Sequence, residues 1–140
     1  MRPVWMKIKG LNSFLEAQEV DFELLGNQGL FGIFGPTGSG KSSILDGMTL
    51  ALYGTTARNS ANFINVNTDK AAVDYIFSVK EKQMKTYQVS RSFRRGKEGT
   101  IRSDGAKFID LTGKEPVILA DRVGTVNEKC REVLGLSKED

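Results

Sequence analysis

Hydrophobic and polar residues alternate in two short stretches near the start of the chain. Apolar side chains recur at every second position over residues 4–8 and again over residues 20–24. Because the side chains of a strand point alternately to its two faces, each stretch predicts a half-buried β-strand. Residues 10–17 are predicted to connect the two strands, and the run 26–29, with two glycines and an asparagine, predicts a turn after the second strand.

An unbroken apolar run and a helical repeat come next. Residues 30–34 predict a buried third strand, and apolar positions from residue 44 onward recur at helical spacing. This helix is predicted to end at Tyr53, because Gly54 stands where a glycine commonly stops a helix. Two strands beside the third, with the helix behind them, predict a mixed sheet. The polar residues 55–69, four of them asparagine, predict a long loop.

The second half of the chain alternates again, in shorter runs. The alternation over residues 72–119 predicts an antiparallel meander, whose first hairpin passes through residues 80–86. A further strand is predicted to begin at Ile101. Asp104-Gly105 then predicts a hairpin turn, and Thr112-Gly113 predicts another.

One more helix is predicted near the end of the sequence. Asp121 is expected to cap it and Gly135 to stop it. Residues 137–140 place a serine three positions before an acid, which is typical of a helix start. We therefore expect residues 1–140 to be an incomplete domain, the N-terminal part of a longer protein. The apolar residues on one face of the predicted helix are Val123, Val126, Cys130, Val133 and Leu134.

Composition limits the class of protein. With 39% hydrophobic and 26% charged residues, the 140-residue chain has the make-up of one soluble globular domain. It contains no apolar run of about 18 residues and no signal-peptide pattern, so we expect a cytoplasmic protein with no membrane partner. Its single cysteine, Cys130, excludes an internal disulfide. The absence of histidine excludes a His-based catalytic triad and histidine metal ligands.

The strongest chemical motif lies between the predicted third strand and the helix. Residues 35–42, Gly-Pro-Thr-Gly-Ser-Gly-Lys-Ser, match the phosphate-binding loop G-x-x-x-x-G-K-[ST]. Glycines let backbone N–H groups turn inward around a phosphate, and the start of the helix adds its own N–H groups. Lys41 is predicted to reach the outer phosphates, Ser42 to bind Mg²⁺, and Ser43 to donate to the inner phosphate. The predicted nucleotide contacts are Gly35, Thr37, Gly38, Ser39, Gly40, Lys41, Ser42 and Ser43.

Four stretches resemble the SbcC family, the ATPase subunits of bacterial SbcCD nucleases, which are related to the SMC proteins. They are residues 34–46, the Leu-Ala-Leu-Tyr-Gly run at 50–54, the opening 9–14 and the closing 133–140. The resemblance implies the N-terminal lobe of an ABC-type ATPase head that binds ATP and Mg²⁺. In this family the C-terminal part of the same head follows a long coiled coil, and two copies of the subunit pair around ATP.

The same resemblance implies partners and the position of the chemistry. The partners would be an SbcD-type nuclease subunit and double-stranded DNA. The complex would be an exonuclease that acts in DNA repair, recombination and hairpin processing, and ATP would gate its access to DNA. The catalytic residues would lie in the C-terminal part, so none are predicted here, and this chain alone is expected to be an inactive half of an ATPase. Asn12 stands where distant relatives often carry an arginine near the nucleotide, and Asn65 and Val66 lie where relatives approach it from the loop.

Two further features of the sequence each have two interpretations. Residues 117–121 form an apolar run ending in Asp, as a Walker B strand does, but Arg122 follows where a catalytic Glu is needed, so the helix cap is favoured. Residues 80–107 contain nine basic and three acidic residues, a net charge of +6 against +3 for the whole chain. This segment predicts DNA contact, or alternatively an ordinary solvated face that blocks edge pairing. The predicted DNA contacts are Arg91, Arg94, Arg95 and Lys97.

Other functions remain open at this point. Another ABC-type ATPase, either a recombination ATPase or a transporter subunit, would share the phosphate loop. A small-molecule kinase is disfavoured, because the sequence offers no group of residues that would bind a phosphoryl acceptor. The chain alone is alternatively a nucleotide-binding module without turnover, and its incomplete lobe is expected to self-associate.

Overall fold

The computed structural model describes residues 1–25, 39–56 and 62–135. The predicted third strand at 30–34 lies outside these residues, as does the first half of the phosphate-loop motif, residues 35–38. The described elements, in chain order, are β1 (Arg2–Lys9), β2 (Gln18–Asp21), α1 (Phe22–Leu25), α2 (Ser39–Tyr53), β3 (Lys70–Lys80), β4 (Met84–Arg95), β5 (Ile101–Asp110), β6 (Val117–Ala120) and α3 (Val123–Leu134).

The described strands form one six-stranded sheet in the order β2-β1-β3-β4-β5-β6, and neighbours pair antiparallel. The α/β class and the antiparallel meander are thereby confirmed. The pairing of β1 with β3 joins the two halves of the described chain into the same sheet. A parallel strand that would make the sheet mixed stays a prediction, because residues 30–34 are not described.

The core lies on one face of this sheet. Met6, Tyr75, Val89 and Phe108 are register partners across four neighbouring strands, and all four are 0% exposed. Strand alternation places them on the same face, and burying each such side chain contributes about 1.5–3 kcal/mol. Both longer helices pack against this face, so the sheet positions them relative to each other.

Helix α2 lies close against the sheet at a glycine. A Cβ built on Gly47 would stand 3.0 Å from the Ile8 and Met6 side chains, so this position permits close approach of the helix to β1. The helix ends at Tyr53 as predicted. Gly54 follows with a left-handed φ of 79°, and its N–H donates to the Leu50 carbonyl at 2.8 Å.

Helix α3 also ends where the sequence predicts. Gly135 has φ 71°, and its N–H caps the last turn of the helix. Val126 and Cys130 are the helix's buried residues, while Val123 remains 37% exposed. The predicted apolar face therefore packs at its centre and is open at its beginning.

The predicted end of the second strand and one of the predicted turns are wrong. The second strand does not extend to residue 24, because the Asp21 carboxylate accepts the Glu23 N–H at 3.0 Å and starts the short helix α1. Asp104-Gly105 is not a hairpin turn, since β5 runs through it. There Ser92 pairs with Gly105 and Phe93 with Ser103, so Asp104 is the extra residue of a bulge, and the alternation of β5 shifts by one position at this point. The turn after β5 at Thr112-Gly113 is confirmed, and the Thr112 N–H donates to Asp110.

The predicted cap of the last helix is also wrong. The residue at the N-cap is Arg122, in extended conformation and without a side-chain capping bond, so Asp121 stands one position too early. β6 is an edge strand paired antiparallel to β5, with Val117 and Ile118 more than half exposed. A Walker B strand is a buried one, and the interpretation of residues 117–121 as such a strand does not fit. Within the described ranges, no helix is long and apolar enough to span a membrane.

Candidate nucleotide-binding site

Three separate segments meet on one side of α2, close to its amino end. Asn12, from the connection after β1, donates its side-chain N–H groups to Ser43 Oγ at 3.2 Å and to Asp46 Oδ2 at 3.0 Å. Ser43 and Asp46 are both buried, and they share a helix face because they are three residues apart. The side chain of Asn12 therefore links the β1 end of the sheet to the first turns of α2.

Asn12 itself is held in an unusual backbone conformation. Its φ is 52°, the one positive value of a non-glycine residue within the described ranges. This left-handed region is strained for most side chains and is visited mainly by asparagine, aspartate and glycine. The Asn12 N–H donates to the Phe63 carbonyl, and its own carbonyl accepts from Asn65 Nδ2, each at 2.8 Å. The 62–69 loop thus fixes Asn12 from both sides of the residue.

Asn65 is the centre of that second loop. It is 7% exposed, its N–H donates to the Gly10 carbonyl at 2.8 Å, and its Oδ1 accepts from the Asn67 N–H at 2.9 Å. Buried amides are costly unless they are hydrogen-bonded, so these bonds hold the two loops together. Val66, the next residue, is 80% exposed. The structure therefore brings Asn12, Ser43 and Asn65 together, whereas Val66 is exposed to solvent.

The phosphate-loop residues are described only in part. Gly35, Thr37 and Gly38 lie outside the described residues. Ser39, Gly40 and Lys41 form the start of α2, and their side chains are not described. Ser42 is exposed while Ser43 is buried, so the two neighbouring hydroxyls stand in different surroundings.

The donor set at this end of α2 fits a phosphate ligand with a divalent cation. An exposed Ser42 hydroxyl is accessible to a hydrated cation such as Mg²⁺, which prefers oxygen ligands. Ser43 Oγ accepts a bond from Asn12, and a serine hydroxyl that accepts in this way still carries its own proton to donate. The positive end of the dipole of the 15-residue helix favours an anion here.

Two arginines predicted to contact DNA are engaged inside the protein. Arg91 is 3% exposed. Its Nε donates to the Ala51 carbonyl and its NH2 group to Asn127 Oδ1, both at 2.7 Å. Burial lowers the pKa of Arg91, and the neighbouring Cys130 acts in the opposite direction. Arg91 therefore ties the last turn of α2 to α3 and does not belong to a DNA surface.

Arg95 is directed at the loop that holds Asn12. Its guanidinium donates to the Ile64 carbonyl at 2.6 Å, to Asn62 Oδ1 at 2.9 Å and to the Thr68 carbonyl at 3.0 Å. The side chain is 17% exposed. This geometry disagrees with the predicted role of Arg95 as a phosphate contact.

The other two predicted DNA contacts are on the surface. Arg94 is exposed near the end of β4, and Lys97 is exposed in the turn between β4 and β5. Arg94 Nε stands 3.6 Å from the Asp104 carboxylate, an exposed ion pair. Exposed pairs of this kind contribute only about 0–1 kcal/mol, so Arg94 is readily released to another anion.

The sequence already contained signals for some of the residues whose roles were missed. Arg91 occupies the same strand phase as the buried Val89 and Phe93, which predicts an inward side chain. Asp46 is the one acidic residue of α2 and lies one turn from Ser43. The acceptors of Arg95, in contrast, are mainly backbone carbonyls 27 and 31 residues away, and no residue type in the sequence marks them.

The similarity of this chain to known protein families and relatives agrees with these observations. The chain belongs to the AAA domain family, whose model matches residues 6–133. It is 52% identical over 141 residues to the SbcC subunit of the nuclease SbcCD from Clostridium acetobutylicum and 44% identical over 143 residues to the corresponding subunit from Bacillus subtilis. The resemblance to the SbcC family is confirmed. Each alignment covers 100% of this chain but only 12% and 13%, respectively, of those relatives.

A solved structure is also similar. The SMC head domain from Thermotoga maritima superimposes with a TM-score of 0.45 and 19% sequence identity, over 92% of this chain and 42% of that one.

Proposed function

We propose that residues 1–140 are the N-terminal lobe of an ABC-type ATPase head, which binds ATP and Mg²⁺ in the ATPase subunit of an SbcCD-type nuclease complex. The observation that carries this proposal is the bonded cluster of Asn12, Ser43 and Asp46 beside the amino end of α2. The second half of the phosphate-loop motif, residues 39–42, forms the start of this helix, and both relatives are named as subunits of the SbcCD nuclease.

Each polar residue near this site has a distinct task. Backbone N–H groups of the phosphate loop surround the phosphates, and Lys41 neutralises the outer ones. Ser42 would supply a hydroxyl ligand to Mg²⁺, which would offset the negative charge of the phosphates. Ser43 donates to the inner phosphate, while Asn12 fixes the position of its oxygen.

The remainder of the site comes from outside this chain. We propose that the C-terminal part of the same head, beyond a coiled coil, supplies the catalytic acid, and that a second copy of the subunit closes over ATP. Helix α2 presents Leu45 at 46% and Tyr53 at 49% exposure, which is apolar surface that the completed head would cover. On this proposal the isolated lobe binds nucleotide without turnover, in the cytoplasm, and only the complete ATPase hydrolyses ATP.

Double-stranded DNA is the proposed ligand of the complex, with the SbcD-type nuclease subunit as partner. Arg94 and Lys97 are the two predicted contacts whose side chains remain at the surface. Closure of the head on ATP would gate the access of broken ends and hairpins to the nuclease. This role would belong to DNA double-strand-break repair and recombination.

The test is ATP binding by the full-length protein. Lys41→Ala removes the charge that faces the outer phosphates, and we expect at least a tenfold loss of ATP affinity, about 1.4 kcal/mol. Lys7→Ala on β1 is the matched control, because that lysine belongs to the sheet and not to the phosphate loop. Equal affinities for wild type and Lys41→Ala would rule out the assignment.

A further inference from the structure

Arg95 binds one loop at several points. It stands at the end of β4 and donates to two backbone carbonyls and one side-chain oxygen of residues 62–68, at 2.6–3.0 Å. The NH1 group of Arg95 lies 3.7 Å from the Asp69 carboxylate. The backbone N–H of Arg95 donates to the Asp69 carbonyl at 2.7 Å. A planar guanidinium with five N–H donors suits such multiple contacts, and lysine cannot reproduce this geometry.

The loop that Arg95 binds is the one that holds the nucleotide site. Ile64, whose carbonyl Arg95 contacts, directly precedes Asn65. Asn65 Nδ2 donates to the Asn12 carbonyl at 2.8 Å, and Asn12 Nδ2 donates to Ser43 Oγ at 3.2 Å. An unbroken series of direct contacts therefore runs from Arg95 to the hydroxyl at the amino end of α2.

This series has a strained member. Asn12 is in the left-handed conformation, which persists only when surrounding groups hold it. Those groups are the Phe63 carbonyl and the Asn65 amide, on either side of the Ile64 carbonyl that Arg95 binds. If the loop moved, Asn12 would lose both bonds, and its side chain would no longer be directed at Ser43.

We propose that Arg95 is a positioning residue for the nucleotide site: it fixes the 62–69 loop so that Asn65 and Asn12 hold the Ser43 hydroxyl in place for the inner phosphate. The inference rests on the proposed function, because it concerns the same site. It assigns Arg95 a role in nucleotide binding, 52 residues along the chain from the serine through which it acts.

The experiment is a double-mutant cycle on the full-length protein, read as the dissociation constants of ATP and ADP. Arg95→Gln is expected to raise the dissociation constants of both ATP and ADP by about tenfold, since the inner phosphate is common to both nucleotides. Ser43→Ala is expected to weaken them by a similar factor. In the Ser43→Ala background, Arg95→Gln should add less than about twofold, because the hydroxyl through which it acts is gone.

Two controls separate positioning from loss of stability. Arg94→Gln removes the adjacent, exposed arginine, and Val126→Ala destabilises the buried side of α3; both should leave the nucleotide affinities of the folded protein within about twofold. If Arg95→Gln does not fold, Asn65→Ala takes its place in the cycle, since it removes the next donor in the series. The expected non-additivity with Ser43→Ala is the same.

The outcomes are distinct. Unchanged affinity in Arg95→Gln, or effects that multiply fully with those of Ser43→Ala, would overturn the positioning role. In either of those cases, at least tenfold weaker ATP binding by Lys41→Ala would show that the proposed function stands while the role of Arg95 fails. If Lys41→Ala also binds normally, both fail.

Discussion

Arg91 offers the sharpest test of how the fold is held together. It is 3% exposed, and its two bonds join the carbonyl end of α2 to Asn127 of α3. Arg91→Met keeps much of the side-chain length and the packing but removes every donor. Each buried acceptor left without a partner costs about 1–3 kcal/mol. Because Asn127 is half-buried and can recruit water, we expect a total loss of about 3 kcal/mol from the two acceptors.

The thiol of Cys130 reports this loss directly. It is 1% exposed and lies beside Arg91; burial raises its pKa, while Arg91 acts to lower it. An alkylating reagent reaches this thiol only when α3 opens locally, and the labelling rate follows the population of the open form. Since 1.4 kcal/mol corresponds to a factor of ten, a loss of about 3 kcal/mol predicts labelling roughly a hundred times faster.

The assay is peptide-resolved mass spectrometry of Cys130 alkylation in the full-length protein. Arg94→Met is the control, because its exposed ion pair with Asp104 contributes little. We expect that control to change the rate by less than about fivefold. A Cys130 labelling rate in Arg91→Met within about threefold of wild type would refute the assignment of Arg91 as the bond between the two helices.

Two further predictions concern the backbone and the surface. Gly10→Ala would place a Cβ 2.2 Å from the Lys70 carbonyl oxygen, at a backbone φ of 69°, so we expect little folded protein in thermal melts. Gly113→Ala is the control and should melt like wild type, because no atom lies within 4 Å of the added Cβ. Similar melting of the two variants would contradict the structure at the end of β1. Charge reversal of Arg94 and Lys97 together should lower the affinity of the full-length protein for double-stranded DNA. It should also reduce the slope of the log binding constant against log salt concentration by about two. An unchanged affinity and slope would support the interpretation of this segment as an ordinary solvated face.

The sequence predicts most of the fold because its local signals agree with the packing. Alternation predicted β1 and the meander, and Gly54 stops α2 at the predicted position. The prediction was wrong where two local signals competed. At Asp104-Gly105 the turn preference gave way to a bulge that keeps Phe108 in the core. At Asp21 a capping bond ended the strand early.

The candidate site was predictable only in its chemistry. The residue types at 35–43 and the resemblance indicated a nucleotide, and they brought Asn12 and Asn65 into consideration. The bond that joins these two asparagines runs from the Asn65 side-chain amide to the Asn12 backbone carbonyl, 53 residues apart in the chain. Charge alone predicted four DNA contacts, although the phase of Arg91 within its strand marks it as buried.

The central proposal is that this chain is the ATP-binding N-terminal lobe of an ABC-type ATPase head. The most direct measurement is ATP binding and ATP hydrolysis by the 140-residue chain, alone and after addition of the remainder of the head. The account predicts binding by the chain alone, abolished by Lys41→Ala, and hydrolysis only after the remainder is added. Hydrolysis by the chain alone would contradict it, because a catalytic acid would then have to lie within these residues.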